Sequence, residues 1–262
     1  MWSIKSKRAK SIMKKTYYRG KYSSKTDIGK VRITNEDQAI SLANEKGNVL
    51  LCVCDGMGGH SKGDYASKIA IDIVKDSFRK TTGFNTSFSV KRFISKTIKT
   101  IAKTIYETAF NDESCKDMGT TLVMAIIYKD RIYIANIGDS RAYSVRFAGL
   151  RQLTEDQTMA NYLVNTKQIT KEQSKTSEVR HILTNSLGTT PSASYALTRY
   201  ANLGNSILLC SDGLYNNVPE SDICRILLTD EEVSTKIDTL ISVANSNGGS
   251  DNIAIAYWEP IK

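Results

Sequence analysis

Two short runs constrain the fold of this 262-residue chain more than any other feature. They are Val49-Leu-Leu-Cys-Val-Cys54, closed by Asp-Gly, and Ser206-Ile-Leu-Leu-Cys210, closed by Ser-Asp-Gly. Both are continuously apolar rather than alternating and are rich in β-formers, the pattern of a strand buried on both faces. Around them the period changes repeatedly. From Asp64 to Phe78, Ala66, Ile69, Ala70, Ile73, Val74 and Phe78 recur at three and four, which predicts an amphipathic helix. Val90–Phe110 predicts a second, with Ile94, Ile98, Ile101 and Ile105 on one face. Thr121–Tyr128, a Lys129-Asp130 turn and Arg131–Ile137 read as a β-hairpin. Further strands are expected at Tyr17–Ser24, Ala142–Phe147 and Ile253–Trp258. Helices are expected at Ser221–Leu228 and Glu231–Asn247, the latter opened by a Thr229-x-x-Glu232 capping box and stopped by Gly248-Gly249. Strands come in runs and helices in pairs, which is not the alternation of a parallel β/α chain.

The segment 154–190 is polar with short helical patterns, including a Thr170–Gln173 box, and reads as a surface insertion or flap. With no internal repeat and no Pro/Gly-rich linker, a single domain over 16–262 is expected, preceded by a basic arm over 1–15. The formal charge of +9 comes from that end: residues 1–30 hold ten Lys/Arg against Asp27, and the remaining 26 basic and 26 acidic residues cancel. A near-neutral body argues against a nucleic-acid-binding face, and the arm reads as a solvated tail dispensable for chemistry. No apolar run reaches the length of a membrane span and the N-terminus has no apolar signal core, so a cytoplasmic protein is expected. Cys52, Cys54, Cys115, Cys210 and Cys224 are odd in number and mostly inside apolar runs, as expected of buried thiols in a reducing compartment. With two His in the chain and no second cysteine pair, Cys52 and Cys54 do not make a zinc site.

The positions of the aspartates are the functional signal. Asp55 directly follows one buried strand, Asp212 follows another, Asp139 sits in a turn between two strands, and Asp251 precedes the last. If those strands pack together, their ends converge and the carboxylates cluster. Carboxylates at close range repel and hold protons unless a cation lies between them. An all-oxygen set selects Mg²⁺ or Mn²⁺ over Zn²⁺, and Gly56, Gly58, Gly59 and Gly213 leave room for backbone to approach an ion or an anion.

These residues carry a resemblance. The chain resembles the metal-dependent protein Ser/Thr phosphatases of type 2C (the PPM family), in their bacterial form. The matching motifs run in family order: Gly29-x-x-Arg32-x-x-Asn35-Glu36-Asp37, Asp55-Gly-Met-Gly-Gly-His60 with Gly63, Met118-Gly-Thr-Thr-Leu122 and Ile137-Gly-Asp-Ser-Arg141. Leu153-Thr154, Ile182-Leu-Thr with Leu187-Gly188, Leu208-Leu-Cys-Ser-Asp-Gly-Leu214 and Ser250-Asp-Asn252 complete them. The resemblance implies a four-layer αββα sandwich of class α+β, two antiparallel sheets flanked by helix pairs, with a metal site at one end. It implies two ions, Mn²⁺ or Mg²⁺, and a third, weaker one. Asp55 would bridge the pair with the Gly56 carbonyl as a further ligand, Glu36 would hold one ion, and Asp212 and Asp251 the other. Asp139 would serve the third, Asp37 would support the ligands, and Arg32 would bind substrate phosphate. The implied reaction is hydrolysis of phosphoserine and phosphothreonine in proteins by a metal-activated water, without a phosphoenzyme. The implied setting is a monomer opposite a Ser/Thr kinase.

The chain departs from the pattern in three places. Met57 stands where eukaryotic relatives carry a general-acid His, leaving His60 as a nearby alternative to a purely structural turn residue. Asp156-Gln157 replaces an Asp-His pair. Asp64 replaces a Glu at the start of the first helix, where it is expected to cap. The rival reading, a catalytically weak phosphatase fold that binds phosphoproteins, predicts lost metal carboxylates, whereas Glu36, Asp55, Asp212 and Asp251 are all present.

Overall fold

The structure is a computed structural model and describes residues 19–58 and 62–261. Its strands are β1 (Gly20–Asp27), β2 (Asp37–Ala43), β3 (Val49–Met57), β4 (Gly119–Thr120), β5 (Leu122–Tyr128), β6 (Arg131–Ile137), β7 (Arg141–Arg146), β8 (Gly149–Gln152), β9 (Ala196–Ala201), β10 (Ser206–Cys210) and β11 (Ile253–Pro260). The helices are α1 (Gly63–Arg79), α2 (Ser87–Asn111), α3 (Met159–Asn165), α4 (Lys171–Lys175), α5 (Asp212–Tyr215), α6 (Glu220–Leu227) and α7 (Val233–Ser246). One sheet runs β1-β11-β10-β7-β8 and the other β2-β3-β5-β6-β9, with β4 paired to β3. The strand pairings within both sheets are antiparallel.

The continuous apolar runs follow from this layering. Val49, Leu51 and Val53 of β3 face Ile207 and Leu209 of β10 and Ala254, Ala256 and Trp258 of β11 in the core between the sheets. The intervening Leu50, Cys52 and Cys54 point the other way, onto α1 and α2. On the opposite side Leu208, Cys210, Ile255 and Tyr257 meet α6 and α7. Successive side chains of a strand face opposite ways, so a strand between two apolar layers has no polar face to show. The expected α+β sandwich, two antiparallel sheets flanked by helices, is the fold observed. The five cysteines are buried and free.

Several local expectations need correction. The first strand is shifted to Gly20–Asp27, because its register is set residue by residue against β11, from Gly20↔Pro260 to Asp27↔Ile253. The second helix starts three residues early, on a reciprocal Thr86–Ser89 cap. The Thr170–Gln173 box forms as expected on α4, but the Thr229–Glu232 box does not. The Thr229 hydroxyl donates back to the Ile226 carbonyl, and the Glu232 carboxylate is taken by Lys21 Nζ at 2.9 and 3.0 Å. Asp64 lies inside the first turn of α1 and accepts from the Tyr65 N–H; the position before the helix is Lys62. The expected basic arm, and His60 with it, lie outside the described residues.

Candidate metal and phosphate site

The ends of β3, β6, β10 and β11 meet at one edge of the sandwich, and the turn before β2 joins them. One cavity of about 390 Å³ there is lined by Arg32, Glu36, Asp55, Gly56, Asp139, Asp212 and Asp251. The candidate residues are thus brought together, apart from Asp37, which is buried behind them. Asp37 pairs in register with Asp55 and accepts the Ser211 hydroxyl at 2.5 Å. Since Ser211 ends the other sheet, that bond ties the two sheets together beneath the cavity.

Glycine identity decides how close the pieces come. A Cβ on Gly63 would lie 2.8 Å from the Glu36 carboxyl carbon and 2.6 Å from the Gly56 carbonyl carbon, so only glycine lets α1 start against the Glu36 side chain. The Gly63 N–H then hydrogen-bonds that carboxylate, as suits an anion at a helix N-terminus. At Gly213 a Cβ would collide with the Asn252 carbonyl. This close approach sets Asp212, at the start of α5, beside Asp251.

Asn252 does more than fill a motif. Its Oδ1 accepts from the Glu36 N–H at 2.8 Å, and its Nδ2 donates to the carbonyls of Ile28 and Thr34 at 2.8 and 2.9 Å. The 28–36 loop is further held where Gly249 accepts from the Lys30 N–H at 2.8 Å. Arg32 therefore projects from a pinned loop, and its Nη2 donates to Asp251 at 2.8 Å. Asp55 is held from the other side: its N–H donates to Thr121 Oγ1, and its carbonyl accepts from the Thr121 N–H and the Thr120 hydroxyl.

The site is electrostatically frustrated. Burial first, then the charges of Asp37, Asp212, Asp139 and Asp251, push the Asp55 carboxyl well above the usual range. Burial, Asp139 and Asp251 do the same to Asp212. Burial and Asp156 raise Asp139 to about 6, and burial raises Asp37 to about 7 despite the Ser211 hydrogen bond. Glu36 is raised by burial, against its Gly63 hydrogen bond. Among the described residues lining the cavity, Arg32 is the only Lys or Arg. No three His, Cys, Asp or Glu side chains among the described residues form a closed metal cage as placed; Asp251 is turned onto Arg32 and Asp212 accepts from Asn216. The donor set nonetheless fits hard divalent cations, since oxygen ligands with excess negative charge are what Mg²⁺ and Mn²⁺ bind.

Sequence reasoning missed three contributors. His181 ends a short 3-10 turn, Glu178–His181, and its Nδ1 lies 4.0 Å from Asp212 Oδ2, at the rim of the cavity. Burial, then Arg180, lowers its pKa. It is the one imidazole lining the cavity among the described residues, whereas Met57, which also lines it, brings no proton. Arg141 forks onto Asp156 through Nε and Nη2, donates to the Tyr143 hydroxyl at 3.0 Å and stacks 3.6 Å over the Tyr215 ring. Burial opposes its charge, but the Asp156 contact outweighs that and raises its pKa. Gln157 accepts from the Gly138 N–H and the Asn185 amide and donates to the Asn136 carbonyl, fastening the 154–190 segment to the turn that carries Asp139. The signals available were Arg141 at the end of the Ile137-Gly-Asp-Ser-Arg141 motif, to which no role was given, and the replacement of the usual Asp-His by Asp156-Gln157.

Residues 30–254 match the family described as Protein phosphatase 2C. The chain is 38% identical over 236 residues to the serine/threonine phosphatase stp of Listeria monocytogenes, covering 90% of this chain and 94% of that one. It superposes on the crystal structure of serine/threonine phosphatase Stp1 from Staphylococcus aureus with a TM-score of 0.86 at 33% identity, over 93% of this chain and 96% of that one. The catalytic domain of the serine/threonine protein phosphatase PstP, solved in complex with two manganese ions, matches with a TM-score of 0.80 at 29% identity, over 93% of this chain and 99% of that one. With the fold, the motifs and the relatives in agreement, this chain belongs to the protein phosphatase 2C family and is a protein-serine/threonine phosphatase.

Proposed function

We propose that Glu36, Asp55, Asp139, Asp212 and Asp251, with the Gly56 carbonyl, hold two divalent ions and a third, Mn²⁺ or Mg²⁺, for the hydrolysis of phosphoserine and phosphothreonine. The observation that carries this is the gathering of five carboxylates around one cavity, where burial and the neighbouring negative charges push Asp55 and Asp212 well above the usual range and Arg32 is the only Lys or Arg among the described lining residues. Such ions, when bound, neutralise the phosphoryl oxygens and bring the pKa of a water to near neutrality.

The chain's own residues supply the rest. Arg32 spends one Nη2 N–H on Asp251; the second Nη2 N–H, with the N–H of the guanidinium nitrogen on that edge, is left to take two phosphoryl oxygens in the fork geometry that suits a guanidinium. Asp37 lies opposite Asp55 in the β2–β3 pairing and, through Ser211, ties that strand end to the second sheet. Asn252 keeps Arg32 and Glu36 on one pinned loop. The binding-module alternative is not favoured, because it leaves this charge cluster without a purpose.

Phosphoprotein substrates imply a kinase that makes their esters. We place both enzymes in the cytoplasm, with the phosphatase as a monomer whose catalytic domain spans 16–262 and whose basic arm, 1–15, takes no part in the chemistry. The test is phosphate release from a phosphothreonine peptide with Mn²⁺, with and without chelator. Release is expected only with the metal, and turnover that survives chelation overturns the reading.

A further inference from the structure

A second, larger cavity of about 700 Å³ lies under the 154–190 segment and meets the carboxylate cavity at Asp139 and His181, which line both. Its outer wall is cationic. Lys171 and Lys175 stand four apart on α4, on one face of the helix, and Arg180 follows on the 3-10 turn. Among the described residues none of the three is in an ion pair; Arg180 donates only to the Ser177 carbonyl. The acidic residues of the same stretch, Glu172 and Glu178, do not line the cavity. Of the carboxylates that do, Asp139 belongs to the neighbouring carboxylate cavity, and the other two are already engaged. Asp156 is forked by Arg141 and accepts from Gln152. Glu155 Oε1 takes the amides of Asn161 and Asn165 at 3.0 and 2.6 Å. The wall thus offers three unsatisfied cations beside the place where a phosphorylated residue must sit.

We propose that this cavity is a substrate subsite that reads acidic side chains flanking the phosphoresidue, so that the preferred substrates carry Asp, Glu or a second phosphorylated residue within a few positions of the ester. The phosphorylated residue itself enters the neighbouring cavity, and the chain on one side of it runs beneath α4. The two cavities adjoin at Asp139 and His181, and an extended chain advances about 3.3 Å per residue, so the positions read are those within a few residues of the ester. Nothing in the carboxylate cavity could make this selection, because that cavity repels anions other than one presented to metal and Arg32. The inference rests on the assignment of phosphoprotein hydrolysis to this site.

The test compares matched phosphothreonine peptides in which the flanking residues are all Glu, all Gln, or Gln with one additional phosphoserine. Each is assayed with Mn²⁺ on the wild type, on Lys171→Ala/Lys175→Ala, and on a control, Lys91→Ala/Lys96→Ala, whose lysines lie on α2 away from both cavities. The readout is the ratio of kcat/KM between charged and neutral peptides, in which any general loss of activity cancels. An exposed ion pair is worth about two- to fivefold, so three cations give an expected preference of about tenfold for the acidic peptides. It should reside in KM, shrink with added salt, fall to about twofold in the α4 variant and stay intact in the control. Lys171→Glu/Lys175→Glu should turn the preference towards Lys-flanked peptides. The Glu and phosphoserine arms separate a general reading of negative charge from a demand for phosphate. Equal kcat/KM for all three peptides in the wild type overturns the proposal, as does a preference that stays undiminished after loss of both lysines or is lost equally in the control. Hydrolysis of the neutral peptide reports separately on the phosphatase assignment, which stands if only the preference is missing.

Discussion

Asn252→Ala is the substitution that best separates positioning from packing at this site. Asn252 is 5% exposed, and each of its side-chain polar atoms is used: Oδ1 on the Glu36 N–H, Nδ2 on the Ile28 and Thr34 carbonyls. Truncation leaves three backbone groups without partners. Each such loss is worth about 1 kcal/mol where water can enter and up to about 3 where it cannot. Val31 and Arg32 at the loop tip are exposed, so water reaches the loop and the lower end applies. The expected destabilisation is about 3 kcal/mol, or a drop of about 6 °C in Tm for a chain of this size. The kinetic effect should be distinct. Freed from its staple, the 28–36 loop no longer presents Arg32 to phosphate, and KM for a phosphopeptide should rise about tenfold, equivalent to about 1.4 kcal/mol. Asn252→Asp is the control. It keeps an acceptor for the Glu36 N–H but sets a carboxylate against two carbonyls and beside Asp251, so it should be no better than Ala. Thermal melts and steady-state kinetics on both variants decide. A lower Tm with KM unchanged refutes the claim that Asn252 sets Arg32, and leaves it a packing residue.

Arg32→Ala should raise KM for phosphopeptide and lower kcat with little change in Tm, because its side chain is half exposed and its bond to Asp251 is a surface one; a changed Tm with unchanged kinetics would mark it as structural. Asp212→Asn should reduce turnover with Mn²⁺ by about a hundredfold or more, yet raise Tm in chelator by relieving the crowding with Asp139 and Asp251; near-wild-type turnover at saturating Mn²⁺ would remove Asp212 from the site. In chelator, stability should depend on pH. The folded-state pKa values of Asp139 and Asp37 are raised to about 6 and about 7. The stability they contribute is therefore fully present below the ordinary value of about 4 and is lost as pH rises through those raised values. Tm in chelator should fall between about pH 4 and about pH 7, and Mn²⁺, which favours the ionised forms, should flatten or reverse the slope; a Tm that is flat or rising in chelator contradicts the crowding.

The parts of the fold that were legible in the sequence are those whose burial is symmetric or periodic. β3, β5 and β10 lie between two apolar layers, so an unbroken apolar run announces them. α1 and α2 press one face on a sheet, and the 3.6-residue period shows it. β9 was invisible because it is an edge strand with four of its six residues exposed, and β8 because it has four residues, none of them buried. β2 was missed because all but its first residue are only partly covered or exposed, which blurs alternation. The failed Thr229–Glu232 box is a different kind of miss. The local pattern was sound, but Lys21, 211 residues away, competes for the same carboxylate. A pattern confined to four residues carries no information about such a competitor.

The same division runs through the site. Asp55, Asp139, Asp212 and Asp251 could be picked out because each sits next to a legible strand, and strands that pack must bring their ends together; Glu36, whose neighbouring strand β2 was not legible, came only with the family motif. What holds those carboxylates in place could not be read this way. Asn252 meets Glu36 across 216 positions, Ser211 meets Asp37 across 174, and Arg32 meets Asp251 across 219. His181 comes from a polar stretch with no period, and it reaches the cavity only because Gln157 bolts that stretch to the Asn136–Gly138 turn and Thr184 pairs back onto Gln157. An aspartate after a buried strand is constrained by its immediate neighbours, whereas a hydrogen bond between two loops is constrained by the register of both sheets at once. In this chain the candidate ligands belong to the first class and their supports to the second. Substitutions at the supports should therefore disturb KM and metal affinity while every recognisable motif carboxylate remains in the sequence.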